Sequence, residues 1–171
     1  AKECVQFLEK PVDLVTPNGF ENTFVPTDEE FQLRRIEAKI KFYEVAEALL
    51  ARPVAKDALI VGIGGRYEFK NKGIDVFIDA LGRMNKSEDI DKEILAFILI
   101  PASHHGPRKD VFKNLQDKDT DNVIVLSNSY ITHYLIDPEY DPILKKIKAV
   151  GLNNAENDKV KVFFVPSYLN G

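Results

Sequence analysis

The fold is decided by residues 58–81, which read ALIVGIGGRYEFKNKGIDVFIDAL. The first six residues form a continuous apolar run, which is typical of a strand buried on both faces. Gly64 and Gly65 follow at a point where the backbone must turn sharply or approach a ligand. Apolar residues then recur at helical spacing, at Ile74, Phe77, Ile78 and Leu81. The stretch therefore predicts a strand, a polar loop and an amphipathic helix.

The polar loop has the composition of an anion site. The helix begins beside Lys72, so we expect its free backbone N–H groups to point toward the loop. Arg66 and Lys72 bracket the loop, and a guanidinium can bind two phosphate oxygens at once while a lysine acts as a point charge. The pair suits a diphosphate. On the bare pattern, a solvated loop that carries two cations is an alternative interpretation.

The rest of the chain alternates between strand and helix patterns. Apolar runs at residues 94–100 and 160–165 predict two more buried strands, and shorter strands are expected at residues 13–16 and within residues 122–134. Helices are expected at residues 1–9, from Asp28 to about Arg52 with Asp28 as its cap, within residues 111–121, and from Asp141 to Gly151. This succession predicts an α/β fold with a three-layer, Rossmann-like parallel sheet.

The length of 171 residues suits one domain. We expect a single domain over residues 1–171 that contains a long helical connector at residues 21–56. The chain opens at Ala1 inside an apparent helix, and no helix follows its last apolar strand. We therefore expect a truncated part of a longer protein.

Composition excludes several classes of partner. The net charge of −4 and the isoelectric point near 5.5 give no electrostatic footprint for nucleic acid or an acidic membrane. Cys4 is the one cysteine, so no internal disulfide can form. The sequence has neither a signal peptide nor an apolar run of membrane-spanning length. The cytoplasm is the expected compartment.

The loop sequence GGRYEFKNKGIDVFIDAL closely resembles the donor-site segment of the animal, fungal and bacterial glycogen synthases that use UDP-glucose. The likeness continues in TPNG at residues 16–19, LAFILIPA at 95–102, TH at 132–133, DPILKKIKAVGL at 141–152 and DKVKVFFVPSYLNG at 158–171. It implies that Arg66 and Lys72 hold the nucleotide's phosphates and act in catalysis, beside Gly64, Gly65 and Gly73.

The resemblance implies a fold and a reaction. This chain looks like the first part of the C-terminal, donor-binding domain of a GT-B glycosyltransferase. The parent enzyme would transfer glucose from UDP-glucose to the non-reducing end of an α-1,4-glucan, with retention. The resemblance adds His133 as a donor-site contact, although a histidine satisfied by a backbone partner is the alternative. It also places Pro166 and Tyr168 at the edge of the nucleobase pocket.

The resemblance further implies that no metal cofactor is needed, because the cations replace the metal that other glycosyltransferases hold between paired aspartates. Asp119 and Asp121 form such a pair, but we interpret them as solvent-facing. Likewise His104 and His105 are interpreted as part of a solvated loop, since zinc needs more converging ligands. The glucan acceptor would bind through a missing domain, and oligomers are possible in the full-length protein. The chain alone is expected to be inactive.

Two alternatives stay open. The chain is also compatible with an ADP-glucose-dependent starch or glycogen synthase or another GT-B transferase, because these enzymes share an Arg/Lys phosphate pair. A non-catalytic nucleotide-binding or interaction module is the alternative from another class. Nucleotide preference separates the enzymes, and cooperative melting without exposed apolar surface is typical of a complete module.

Overall fold

The computed structural model describes residues 2–17, 19, 21–117 and 123–167. Its elements in chain order are α1 (Lys2–Leu8), a short 3₁₀ turn (Asn22–Phe24), α2 (Asp28–Leu50), β1 (Leu59–Gly64), α3 (Ile74–Lys86), β2 (Ile94–Leu99), β3 (His104–Pro107), α4 (Lys109–Gln116), β4 (His133–Leu135), α5 (Pro142–Ala149) and β5 (Val160–Phe164). The expected strand, loop and helix at residues 58–81 are confirmed as β1, a connecting loop and α3. The expected burial of β1 on both faces is wrong, because none of its residues is fully buried.

The central sheet consists of three parallel strands in the order β1-β2-β5. β1 pairs with β2 from Leu59 opposite Ile94 to Gly64 opposite Leu99, and β2 pairs with β5 along its other side. All residues of β5 are buried, as are all of β2 except its last residue, which is partly buried. Parallel strands covered on both faces need such continuous apolar runs, which is why the sequence identified these strands.

Helices cover both faces of the sheet. On one face α3 and α5 pack against alternate strand residues in a cluster that includes Ile74, Ile78, Leu81, Ala96, Ile98, Ile143, Ile147, Val162 and Phe164. On the other face α4 and the C-terminal part of α2 pack in a cluster that includes Ala46, Leu49, Leu95, Phe97, Val111 and Phe163. The predicted three-layer α/β arrangement is confirmed.

The parallel sheet does not include every strand. β3 and β4 form a separate antiparallel ribbon, with His104 opposite Leu135 and Pro107 opposite His133. β3 follows the end of β2 along the chain and pairs with β4 alone, so it is not part of the parallel sheet. Ile131, just before β4, makes an isolated parallel bridge to Phe164. The expectation that all strands run in one parallel sheet is wrong at this ribbon, as is the solvated loop expected around His104 and His105.

The chain divides into two compact units, Ala1–Ile36 and Glu37–Gly171. The second unit contains the whole sheet. The first contains α1 and the start of α2, and its segment at residues 13–16 is not a strand; its apolar side chains Leu14 and Val15 are exposed. The single domain over residues 1–171 and the connector at residues 21–56 stay predictions.

The long helix α2 has the expected extent and a different cap. The side chain of Thr27, rather than Asp28, accepts the N–H of Glu30, at 3.4 Å. Side chains are buried only near its C-terminal end, at Ala46, Ala48 and Leu49. None of the helices in the described ranges is both long and apolar enough to span a membrane.

Candidate functional site

The candidate phosphate loop, residues 65–73, leaves the carboxyl end of β1. Open α/β sheets bind ligands at this edge. Gly64 is the last residue of the strand, and Gly65 opens the loop with a φ of 148°. Gly73 closes it in the left-handed region, with a φ of 68°, immediately before α3. Other residues adopt these two conformations only with strain, so the glycines at both ends of the loop shape the turn.

The N-terminus of α3 is not free to bind an anion. The N–H groups of Ile74 and Asp75 both donate to the carbonyl of Phe69, at 3.1 and 3.3 Å. The N–H of Val76 donates to the Asp75 carboxylate at 2.9 Å. The expectation that free helical N–H groups point into the loop is therefore wrong, because the loop folds back and caps the helix that follows it.

The two predicted cations are exposed on this loop. The Arg66 side chain is 78% exposed, and its Nε lies 3.1 Å from Oε1 of Glu68. Lys72 is exposed, and its ammonium makes no ion pair or hydrogen bond with another described residue. The backbone N–H groups of Arg66 and Tyr67 are likewise unbonded among the described residues. The loop thus offers two exposed cations to an anion.

Sequence analysis did not identify Tyr67, whose side chain ties the loop to α5. Its hydroxyl donates to Oδ2 of Asp141 at 2.5 Å, and the N–H of Ile143 lies 3.5 Å from the same hydroxyl. Oδ1 of Asp141 accepts the N–H of Leu144 at 2.9 Å, so the predicted helix cap at Asp141 is confirmed. Burial, and then Asp141, raise the pKa of Tyr67, which keeps its proton and donates it.

His133 lies at the start of β4, and its ring packs against the ring of His104 on β3, with ring centroids 4.5 Å apart. Nδ1 of His133 lies 2.7 Å from the hydroxyl oxygen of Thr132, and Nδ1 of His104 accepts the N–H of Gly106 at 3.0 Å. Burial, and then His104, lower the pKa of His133, so its ring is neutral at pH 7. No sequence signal indicated this pairing, and the role of His133 as a donor-site contact stays a prediction.

The remaining predicted contacts follow β5. Pro166 is buried at the carboxyl end of this strand, where the N–H of Val165 donates to the carbonyl of Ile98 at 2.9 Å. Tyr168 lies outside the described residues, as do Asp119 and Asp121. The structure therefore places Pro166 at the same edge as the loop and leaves the other three untested.

Comparison with known proteins identifies the family. The glycogen synthase family model matches residues 1–122. The liver glycogen [starch] synthase of Homo sapiens is 26% identical over 221 residues, covering 99% of this chain and 31% of the human protein. Isoform 1 of glycogen [starch] synthase from Saccharomyces cerevisiae is 26% identical over 231 residues, covering 99% of this chain and 33% of the yeast protein.

A third relative, the glycogen [starch] synthase of Neurospora crassa, is 25% identical over 225 residues, covering 99% of this chain and 32% of its own length. The chain therefore spans about a third of the curated relatives it matches. All three aligned spans exceed the 171 residues of this chain, so the alignments contain positions where it has no counterpart. Since the family model covers well over half of its residues, the chain belongs to the glycogen synthase family.

Proposed function

We propose that this chain holds the donor diphosphate in a glycogen synthase of GT-B architecture. In this proposal the whole enzyme transfers glucose from UDP-glucose to the non-reducing end of an α-1,4-glucan, with retention. The observation that carries the proposal is the pair of exposed cations, Arg66 and Lys72, on a glycine-bounded loop at the carboxyl edge of the sheet. Family membership supports the reaction class.

The proposed mechanism is electrostatic. As the bond between glucose and the nucleotide breaks, negative charge develops on the phosphate oxygens of the leaving group. Arg66 binds two of these oxygens at once, and Lys72 adds a second positive charge. The unbonded N–H groups of Arg66 and Tyr67 supply further donors, in place of the helix N-terminus that Phe69 occupies. Donors fixed where charge develops stabilise the transition state more than the ground state.

Several parts of the proposal concern the whole enzyme. The two cations replace a divalent metal, so a chelator should leave donor binding unchanged. The glucan acceptor binds through a domain outside this chain, and the chain alone is inactive. The cytoplasm is the proposed compartment. His133 is proposed to contact the donor, and Pro166 and Tyr168 are proposed to border its nucleobase. Oligomers form, if at all, in the full-length protein.

Calorimetric titration with UDP tests the phosphate assignment. We expect Arg66→Ala and Lys72→Ala each to weaken binding about tenfold or more, because a charge-assisted hydrogen bond contributes about 1.5–3 kcal/mol. Arg83→Ala and Lys86→Ala are matched controls, since both residues lie exposed in the last turn of α3, at the end away from the loop. These controls should bind UDP like the unchanged chain.

The titration is repeated with ADP. Tighter binding of ADP than of UDP would replace UDP-glucose by ADP-glucose as the donor and leave the phosphate roles intact. If the chain binds neither nucleotide, the same four variants are assayed for glucosyl transfer in the full-length protein. Undiminished transfer by Arg66→Ala and Lys72→Ala would remove the proposed mechanism.

A further inference from the structure

The hydroxyl of Tyr67 connects the phosphate loop to a distant helix. It donates to Asp141, which is 74 positions further along the chain and begins α5. We infer that this hydrogen bond is a positioning contact: it holds residues 65–73, and with them Arg66, in place at the carboxyl edge of the sheet. The inference about Arg66 rests on the proposed function, whereas the inference about the loop does not.

The anchor at the far end of this contact is rigid. Asp141 is 8% exposed, and its two carboxylate oxygens have different partners, Tyr67 and the N–H of Leu144. The second bond fixes the carboxylate to the first turn of α5, and α5 is itself packed on the sheet through Ile143 and Ile147. A hydroxyl that donates to a carboxylate forms one of the stronger hydrogen bonds in proteins. The loop is therefore tied to a fixed point.

The backbone hydrogen bonds of the loop act mostly within the loop, apart from those that the Phe69 carbonyl accepts from Ile74 and Asp75 at the start of α3. The N–H of Glu68 donates to the carbonyl of Arg66 at 2.8 Å, that of Lys72 to Glu68 at 2.9 Å, and that of Gly73 to Lys70 at 3.0 Å. These bonds join loop residues to one another, so they determine its internal shape. The Tyr67 hydroxyl instead bonds to Asp141, the residue that caps α5, and so joins the start of the loop to another element.

The surroundings leave the loop room to move when the contact is broken. Tyr67 and Asp141 line an open cleft of about 400 Å³, together with Ser103, Asp137 and Tyr140. The rings of Tyr67 and Phe69 also pack against the core beneath α3 and α5. The cleft itself is not filled by side chains, so packing on the cleft side of Tyr67 cannot replace the lost hydrogen bond. Arg66 directly precedes Tyr67 in the backbone, so a displacement of Tyr67 carries the guanidinium with it.

The test compares Tyr67→Phe with Tyr43→Phe by amide hydrogen exchange. Tyr67→Phe keeps the ring and removes the hydroxyl. Tyr43→Phe is the matched control, because the Tyr43 hydroxyl donates to the carbonyls of Ala58, at 3.0 Å, and Lys56, at 3.2 Å, near the opposite end of β1. We expect the hydrogen-bonded amides within residues 68–74 to exchange roughly tenfold faster in Tyr67→Phe, as the loss of one hydrogen bond implies, and at an unchanged rate in Tyr43→Phe.

A second variant and an internal reference separate a local effect on the loop from a general loss of stability. Asp141→Asn keeps an oxygen that can cap α5 and removes the charge from the bond to Tyr67, so a smaller increase at residues 68–74 is expected. Amides of β2 serve as the internal reference for global unfolding, and loop rates are taken relative to them. Unchanged relative rates at residues 68–74 in both Tyr67→Phe and Asp141→Asn would overturn the inference.

The nucleotide titration separates this inference from the proposed function. Tyr67→Phe should weaken UDP binding less than Arg66→Ala does, and adding it to Arg66→Ala should cause little further loss, because the contact acts through Arg66. Faster loop exchange with unchanged UDP affinity in Tyr67→Phe would overturn the positioning of Arg66. If Arg66→Ala itself leaves UDP affinity unchanged, the proposed function fails while the exchange result still decides whether the contact holds the loop.

Discussion

Two pairs of cations in this chain have the same residue types and opposite surroundings. Arg66 and Lys72 are exposed on the phosphate loop, where Arg66 has one ion pair and Lys72 has no partner among the described residues. Arg108 and Lys161 are 6% and 0% exposed, and both are hydrogen-bonded inside the protein. The first pair retains donors for a ligand, whereas the second has used its donors in the fold.

Arg108 illustrates how a buried cation is satisfied. Its Nε and Nη2 donate to the two carboxylate oxygens of Asp110, at 3.1 and 2.6 Å. Its Nη1 donates to the carbonyls of Ile131, at 3.0 Å, and Asn128, at 2.5 Å. The guanidinium thereby ties the start of α4 to the segment that leads into β4, and it holds the pKa of Asp110 below its usual value. The difference between the pairs teaches that unused donors, rather than charge, indicate a binding role.

The largest effect is expected from Arg108→Ala. The substitution leaves the carbonyls of Asn128 and Ile131 without this donor, and it also removes the ion pair with Asp110, whose side chain is 35% exposed. Leaving buried polar groups unsatisfied costs about 1–3 kcal/mol, and the half-exposed ion pair adds less. Urea unfolding followed by circular dichroism should show this loss of unfolding free energy. Arg66→Ala is the matched control and should change the unfolding free energy by no more than about 0.5 kcal/mol, since its ion pair is exposed. Equal losses of unfolding free energy in Arg108→Ala and Arg66→Ala would contradict the distinction between the structural and the ligand-binding cations.

A smaller, pH-dependent effect is expected from Lys161→Met. The Lys161 ammonium donates to the carbonyls of Ala155 and Glu156, and burial, followed by Arg52, lowers its pKa from the ordinary 10.5. The folded protein therefore releases this proton at a lower pH than the unfolded chain does. Because the unfolded state then binds more protons, the contribution of Lys161 to the unfolding free energy rises with pH until 10.5 is passed.

Urea titrations from pH 7 to 10 measure this contribution as the difference between the unchanged chain and Lys161→Met. Tyrosines and other groups that titrate in this range are present in both proteins and cancel in the difference. Lys159→Met is the control, because that neighbouring lysine is only partly buried and donates to the carbonyl of Ser87 at 2.7 Å. A flat difference for Lys161→Met would mean that Lys161 is as well solvated as the exposed cations.

Local patterns in the sequence predict most of the fold. The apolar runs of β1, β2 and β5 and the helical spacing of α3 are short-range signals. Burial on both faces of the sheet explains the runs of β2 and β5, whereas β1 lies at the edge of the three strands and is only partly buried. Asp141 as a cap, followed by Pro142, is equally local. Residues 13–16 resemble a strand and are not one, since pairing depends on a neighbour that a local pattern cannot provide.

The site is predicted less completely, because its defining contacts are long-range or specific to the loop. The sequence identified Arg66 and Lys72 but gave no signal for the contact of Tyr67 with Asp141. It also gave no signal that the Phe69 carbonyl occupies the N-terminus of α3. Both depend on how the loop folds back on the sheet edge, which neither hydropathy nor spacing encodes.

The smallest effect is expected from Glu68→Gln, and it tests whether Arg66 is fully available. Glu68 is the one ion-pair partner of Arg66 among the described residues, and its side chain is 34% exposed while that of Arg66 is 78% exposed. Such a pair contributes about 0–1 kcal/mol, so releasing Arg66 should raise the affinity for UDP by at most about fivefold at low salt and less at high salt. The same substitution in the Arg66→Ala background should give no gain if the effect passes through Arg66. A gain that persists there would come from the removal of a negative charge near the phosphates.

A loss of affinity in Glu68→Gln would instead mean that the carboxylate orients the guanidinium for its ligand. The exposed ion pair of Arg66 would then resemble the buried one of Arg108, whose donors are fixed by a carboxylate.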